Sequence, residues 1–261
     1  MYKKLIAILM LMMFLCCSCG KKNEPAYTND LNEIVKRGVL TVGVRTDAYP
    51  FGYIDKNGTY QGFDPALARL IARGILGSDK KIKFVKVTAS DRMMKLYSAD
   101  VDMVIATMSI TPKRRQILDF SNPYHTSGQA ILVRKGSKIK TLQDLSKKRV
   151  IIIFGSTSEN SLRTAIPSLG IIGYKTYSEA FKALKQKKAE AIVSDDTILL
   201  GLALNNPSVV LLPKKYTKEP YGVAFRKGPE SKDLIRAVNF VIESETRNGN
   251  LKKIKKNYGI K

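Results

Sequence analysis

The chain has 261 residues, enough for one large domain or two lobes with cores of their own, and its 44% hydrophobic content with 18 Gly and 10 Pro is ordinary for a globular protein. The formal net charge of +23 is not ordinary, yet Lys and Arg are scattered along the chain and Trp is absent. That pattern argues against a nucleic-acid binder, which gathers its cations on one element and interleaves aromatics that stack on bases.

Lys3 and Lys4 precede an uninterrupted apolar run from Leu5 to Leu15, followed by small residues. The run is far shorter than the ~20 residues that span a bilayer, so it reads as a secretory signal. All three cysteines, Cys16, Cys17 and Cys19, crowd its end, which leaves the folded part without a disulfide or a cysteine metal site. "CCSCGKK" resembles a bacterial lipobox, with Cys19 as the lipidation site between Ser18 and Gly20. Cys16 stands where lipoboxes usually carry Leu, and Cys17 is the second candidate. Residues 1–18 are thus expected to be a lipoprotein signal peptide and 19–29 a polar tether, with two acyl chains on Cys19 holding the protein to the outer face of the membrane.

Downstream, strands and helices alternate. "VLTVGV" (39–44) reads as a strand, and Asn57-Gly58 as a hairpin turn. "DPALARLIARGIL" reads as a helix with Asp64 as cap, Pro65 in the first turn, and Leu67, Leu70, Ile71 and Ile75 at helical spacing. Strands follow at 81–87 and 101–107, with a short helix at 91–98 between them. A second unit repeats the scheme: a strand at 149–157 running into a Gly-Ser-Thr turn, a helix from Ser158, a capped helix in "SEAFKALKQKK", a strand at 189–194 and an acidic turn at Asp195-Asp196. Helical sequence from Ser231, interrupted at Gly249, closes the chain. Such alternation predicts parallel α/β sheets, whose ligands sit outside the carboxyl ends of the strands.

"ATMSITPKRRQILDF" (106–120) ends the third strand. Thr111-Pro112 reads as an N-cap with Pro at the first helical position, and Lys113, Arg114 and Arg115 follow at once. The positive end of a helix dipole disfavours cations. The residues alone leave two readings open: an exposed basic turn, or a turn that receives an anion.

"GVLTVGVRTDAYPFGY", "GFDPALARLIA", "DMVIATMSITPKRRQILDFSNPY" and "AIVSDDTILLG", in that order, resemble the extracellular solute-binding proteins of ABC amino-acid importers, over roughly 30 to 258. Similarity is greatest to the branch that binds aspartate, glutamate or glutamine, and Ala66 departs from the acidic residue usual two places after the Asp of "GFD". The resemblance implies two α/β lobes with mixed, mainly parallel sheets around a ligand cleft, joined by a two-strand hinge. Its boundaries would be 30–124 with 222–261 for the first lobe and 125–221 for the second.

It also implies residue roles. Arg114 would grip the ligand α-carboxylate, with Thr107 and Ser109 completing that site, and Asp195 would receive the α-ammonium. Ser156 and Thr157 would offer donors from the second lobe, while Arg115 would be solvated and Asp196 a helix cap. Arg45 and Arg92 would approach the ligand side chain, which favours glutamate or aspartate, with glutamine next. Tyr49 and Phe51 would wall the cleft, or Phe51 would pack around Pro50; His125 would be a solvated hinge residue. No catalytic constellation, phosphate loop, cofactor or metal site is visible, so ATP hydrolysis would belong to partner subunits of the permease. The expected protein is a monomeric, non-enzymatic, lipid-anchored receptor that binds no nucleic acid. A same-fold enzyme, such as a dehydratase or a cell-wall lytic enzyme, and an anionic-polymer binder are the alternatives.

Overall fold

The computed structural model describes residues 29–204 and 206–260; the expected signal peptide, Cys19 and the tether as far as residue 28 lie outside the described residues. Helix α1 (Asp30–Arg37) is capped by the Asn29 side chain and stopped by Gly38 in the left-handed conformation. Strand β1 (Leu40–Arg45) leads into a small sheet of β2 (Asp47–Ala48), β3 (Gly52–Ile54) and β4 (Tyr60–Gln61). Then come α2 (Phe63–Leu76), β5 (Ile82–Val87), α3 (Arg92–Tyr97), β6 (Met103–Val104), α4 (Pro112–Arg115) and β7 (Leu118–Phe120). β8 (His125–Ser127) crosses to the second lobe, built from β9 (Gln129–Arg134), β10 (Arg149–Ile153), α5 (Ser158–Ala165), β11 (Gly170–Tyr174), α6 (Tyr177–Lys185), β12 (Ala191–Asp195), α7 (Asp196–Leu204) and β13 (Val209–Leu211). β14 (Glu219–Tyr221) returns the chain to β15 (Ala224–Arg226), α8 (Lys232–Arg247) and α9 (Asn250–Asn257).

The two large sheets share one plan. In the first, β5, β1 and β6 are parallel, β15 lies antiparallel to β6, and β7 closes the edge. In the second, β11, β10 and β12 are parallel, β9 is antiparallel to β12, and β13 closes the edge. Each antiparallel strand directly follows a hinge crossing: β8 feeds β9, and β14 feeds β15. The crossings pair with each other, Ser127 opposite Glu219 and His125 opposite Tyr221, so the lobes are joined by a two-stranded antiparallel ribbon.

The apolar spacing of α2 turns Leu67 and Ile71 into the first core, where they meet Leu40 and Val42 of β1 and Val238 of α8. Gly249, at φ +78, separates α8 from α9. Residues of the two lobes also pack together: Ala48 and Ala89 join the second-lobe cluster of Tyr177, Ile198 and Leu199. The lobes are therefore closed on each other.

Three local expectations change. α2 starts at Phe63 behind Gly62, and Asp64 makes no cap because its side chain is turned inward to the backbone N–H of Thr107. β6 is shorter than the expected 101–107, covering only Met103–Val104, and the chain bends at Thr107, which adopts φ +49. Asp195 is the last residue of β12, and α7 begins at the next residue with no turn between them.

Candidate functional site

The candidate residues come from strand ends and from the turns and helix starts that follow them, where the two sheets face each other. From the first lobe, the left-handed Thr107 donates its N–H to Asp64 Oδ2 at 2.9 Å. A non-glycine residue in that region costs of order 1 kcal/mol, so the buried Asp64 contact is what holds the turn. Burial raises the Asp64 carboxyl to about 7, against the Thr107 N–H. Thr111 caps α4 by accepting from Arg114 N at 3.2 Å with Pro112 in the first turn, as its sequence requires.

That short helix aims Arg114 back over the turn: Nη1 donates to Ser109 O at 2.8 Å, and Nη2 crosses to Gly155 O of the second lobe at 3.0 Å. Burial works against its charge, and Asp195 and Glu219 work for it. Arg92, fully buried at the start of α3, donates to the carbonyls of Ala106, Thr107 and, at 3.4 Å, Gly155, while its Nε has no partner. Desolvation, then Arg114 and Arg45, lower it to about 9, which leaves it charged at neutral pH.

From the second lobe comes Asp195, buried at the end of β12. Its Oδ1 accepts from Gln129 Nε2 at 2.6 Å and its Oδ2 from the Tyr221 hydroxyl at 2.5 Å. Desolvation raises it to about 6, with Glu219 adding to the shift and Tyr221, Arg92 and Arg45 opposing it. Thr157, just before α5, donates to Glu219 Oε2 at 2.6 Å, and Ser156 Oγ accepts from Ser158 N at 3.3 Å. A cavity of about 590 Å³ opens between the lobes here, bordered by Thr111, Arg114, Ser156, Thr157 and Glu219. The arrangement presents a buried cation from one lobe and buried carboxylates from the other lobe and the hinge. Chemically, that suits a small zwitterion.

Other candidates fall elsewhere. Arg45 is buried but makes a bidentate pair with its neighbour Asp47, both bonds 2.9 Å, and its guanidinium lies 5.0 Å from the centre of the Tyr177 ring. Desolvation opposes its charge, but Asp47 and Tyr177 outweigh it and raise its pKa. It is therefore not a free counter-charge for a ligand side chain. Tyr49 stands at the cleft edge, half exposed against Tyr53. Phe51 is wholly buried among Phe63, His125 and Tyr221, so it packs in the core. His125 is not solvated: it is buried between those rings, and desolvation with Lys255 lowers it to about 4, so it is neutral at physiological pH. Asp196 accepts from Ser127 Oγ and Gly128 N, tying α7 to the hinge.

Sequence reading missed Asp64, Gln129, Glu219 and Tyr221. Glu219 and Tyr221 sit in "KEPYGVAF", where an acid and a Tyr flank a Pro on the return crossing; that was the available signal. Gln129 carried none.

Residues 40–261 match the bacterial extracellular solute-binding proteins, family 3. The chain belongs to that family. Among its relatives, the glutamine-binding protein GlnH of an ABC transporter from Bacillus subtilis is 34% identical over 98% of this chain and 97% of its own. A glutamine-binding protein from Geobacillus stearothermophilus is 37% identical, over 82% of this chain and 81% of its own. The crystal structure of a cysteine-binding protein from Campylobacter jejuni superposes with a TM-score of 0.84 at 30% identity, covering 88% of this chain and 92% of that one. The architecture is that of the type II periplasmic binding proteins, and one fold thus serves solutes as different as glutamine and cysteine, so the site residues must decide the ligand. Among the described residues of this family member, no helix is long and apolar enough to cross a membrane.

Proposed function

We propose that the protein captures a polar amino acid between its lobes and hands it to an ABC permease driven by a separate ATPase. The observation that carries this reading is the opposition of Arg114, half-buried in the first lobe and reaching Gly155 of the second, to Asp195, buried in the second lobe. An amino acid brings a carboxylate and an ammonium that leave water together, and burying either unpaired costs several kcal/mol. Closure supplies both partners at once.

Glutamine is placed ahead of glutamate and aspartate, reversing the order drawn from sequence. That order relied on Arg45 and Arg92 both reaching the ligand side chain; Asp47 already pairs with Arg45, and Arg92 donates to the carbonyls of Ala106, Thr107 and Gly155. Of the other charged groups, Arg92 and Arg114 stand against Asp195 and Glu219, and Asp64, at about 7, adds partial negative charge, so the site holds no surplus cation for a ligand side-chain carboxylate. The similarity to glutamine-binding relatives agrees with this choice. The receptor works as a monomer, anchored through Cys19 to the outer face of the membrane. A thermal-shift panel of the twenty amino acids, followed by calorimetry, tests the reading. Glutamine should give the largest stabilisation; no response to any amino acid by folded protein refutes it. Mass spectrometry of the membrane fraction should find acyl chains on Cys19 and lose them in Cys19→Ala.

A further inference from the structure

Ser109 and Thr157 were expected to meet the ligand themselves, yet their hydroxyls both point elsewhere. Ser109 Oγ, from the first lobe, donates to Glu219 Oε2 at 2.7 Å; Thr157 Oγ1, from the second, donates to the same oxygen at 2.6 Å. Thr217 Oγ1 donates to the other carboxylate oxygen, Oε1, at 3.1 Å. Glu219 is buried and stands on β14, one of the two strands that join the lobes. One carboxylate oxygen thus gathers a hydroxyl from each lobe, at the hinge, and only when the lobes are together. Hydrogen bonds to an ionised acceptor are about twice as strong as neutral ones.

We propose that Glu219 is a positioning residue of the solute site, a latch for the closed form through which the Ser109 and Thr157 hydroxyls act on binding without touching the solute. This inference rests on the amino-acid-binding reading. A ligand that binds only the closed form gains affinity in proportion to the population of that form. A glutamine side chain cannot replace the latch, because its amide nitrogen donates and its single oxygen is a weaker, neutral acceptor.

Calorimetry and small-angle scattering on the purified protein and its variants test the latch, with circular dichroism to check folding. Glu219→Gln should weaken glutamine binding at least tenfold and raise the radius of gyration of the ligand-free protein. Thr157→Val and Ser109→Ala should each weaken binding about fivefold, and Thr157→Ser should keep wild-type affinity. In the Glu219→Gln background, Thr157→Val and Ser109→Ala should each add less than twofold. Full losses in that background would mean that the hydroxyls act independently of Glu219 and would overturn the proposal, as would unchanged affinity in Glu219→Gln. Should the wild-type protein bind no amino acid, the functional reading fails separately, and the ligand-free scattering still decides the latch: an unchanged radius of gyration in Glu219→Gln overturns it.

Discussion

At Gly155 the second lobe's backbone runs close against the first. It has φ +77, and a Cβ placed there would lie 2.3 Å from Ala89 O, 2.6 Å from Ala89 C and 2.8 Å from Ser90 Cα. All three atoms belong to the other lobe, so Gly155→Ala acts on closure. A Cβ essentially never approaches another heavy atom within 3.0 Å, so the lobes must separate by roughly 0.7 Å at this point. The Arg114 Nη2 bond to Gly155 O, now 3.0 Å, then stretches out of range, and the longer Arg92 bond at 3.4 Å goes with it. A hydrogen bond from a charged group is worth about 1.5–3 kcal/mol, the long one less, so closure loses about 2–4 kcal/mol. At 1.4 kcal/mol per decade, affinity falls roughly 30- to 700-fold. The open form is spared the clash and bears only the left-handed penalty of about 1–2 kcal/mol. Calorimetry should therefore show a large loss of glutamine affinity, while thermal unfolding without ligand shifts by a few degrees. Affinity within threefold of wild type would refute the claim that this backbone contact limits closure.

Asp47→Asn strands the buried Arg45 charge without a carboxylate. Allowing for the partial solvent access of Asp47, the loss is about 3 kcal/mol, or a melting temperature lower by roughly 6–12 °C; a drop under 2 °C contradicts the pairing. Glutamine binding should weaken as pH falls through about 6, because protonated Asp195 no longer balances the α-ammonium. Affinity measured from pH 8 to 5 should be flat above 7 and fall several-fold by 5; no change at 5 excludes Asp195 as the ammonium partner. Asp64 bears on stability with a definite sign. Its folded value of about 7 exceeds the ordinary 3.8, so the native state holds more protons than the unfolded state between those pH values, and stability declines as pH rises through them. In Asp64→Asn that contribution is absent, so melting temperatures at pH 5 and 8 should converge relative to wild type; equal slopes in the two proteins would disprove it.

The alternation of elements was legible because it rests on local patterns. Leu67 and Ile71 recur at helical spacing, "VIII" (150–153) is an unbroken apolar run, and Thr111-Pro112 carries cap chemistry that works within a few residues. Arg114 and Asp195 were reached through motif resemblance, and their placement at the closing edges agrees with what strand ends offer in such sheets. The pairing of Arg45 was hidden, although Asp47 stands two residues away, because sequence does not say whether neighbouring side chains turn toward each other or toward a ligand. Phe51 and His125 show the same limit. An aromatic and a lone His look alike in sequence whether they line a cleft or fill a core.

The sequence alone determined two α/β units, the turn that carries Arg114, and an apolar N-terminal run followed by cysteines, since each depends on residues close together in the chain. Only the tertiary structure decided which buried charges are already spent. Asp64 meets Thr107, Asp195 meets Tyr221, and Glu219 draws Ser109 and Thr157 to one oxygen, across separations of 43, 26, 110 and 62 residues. Charge compensation in a buried site is settled by distance in space, and no local pattern encodes it.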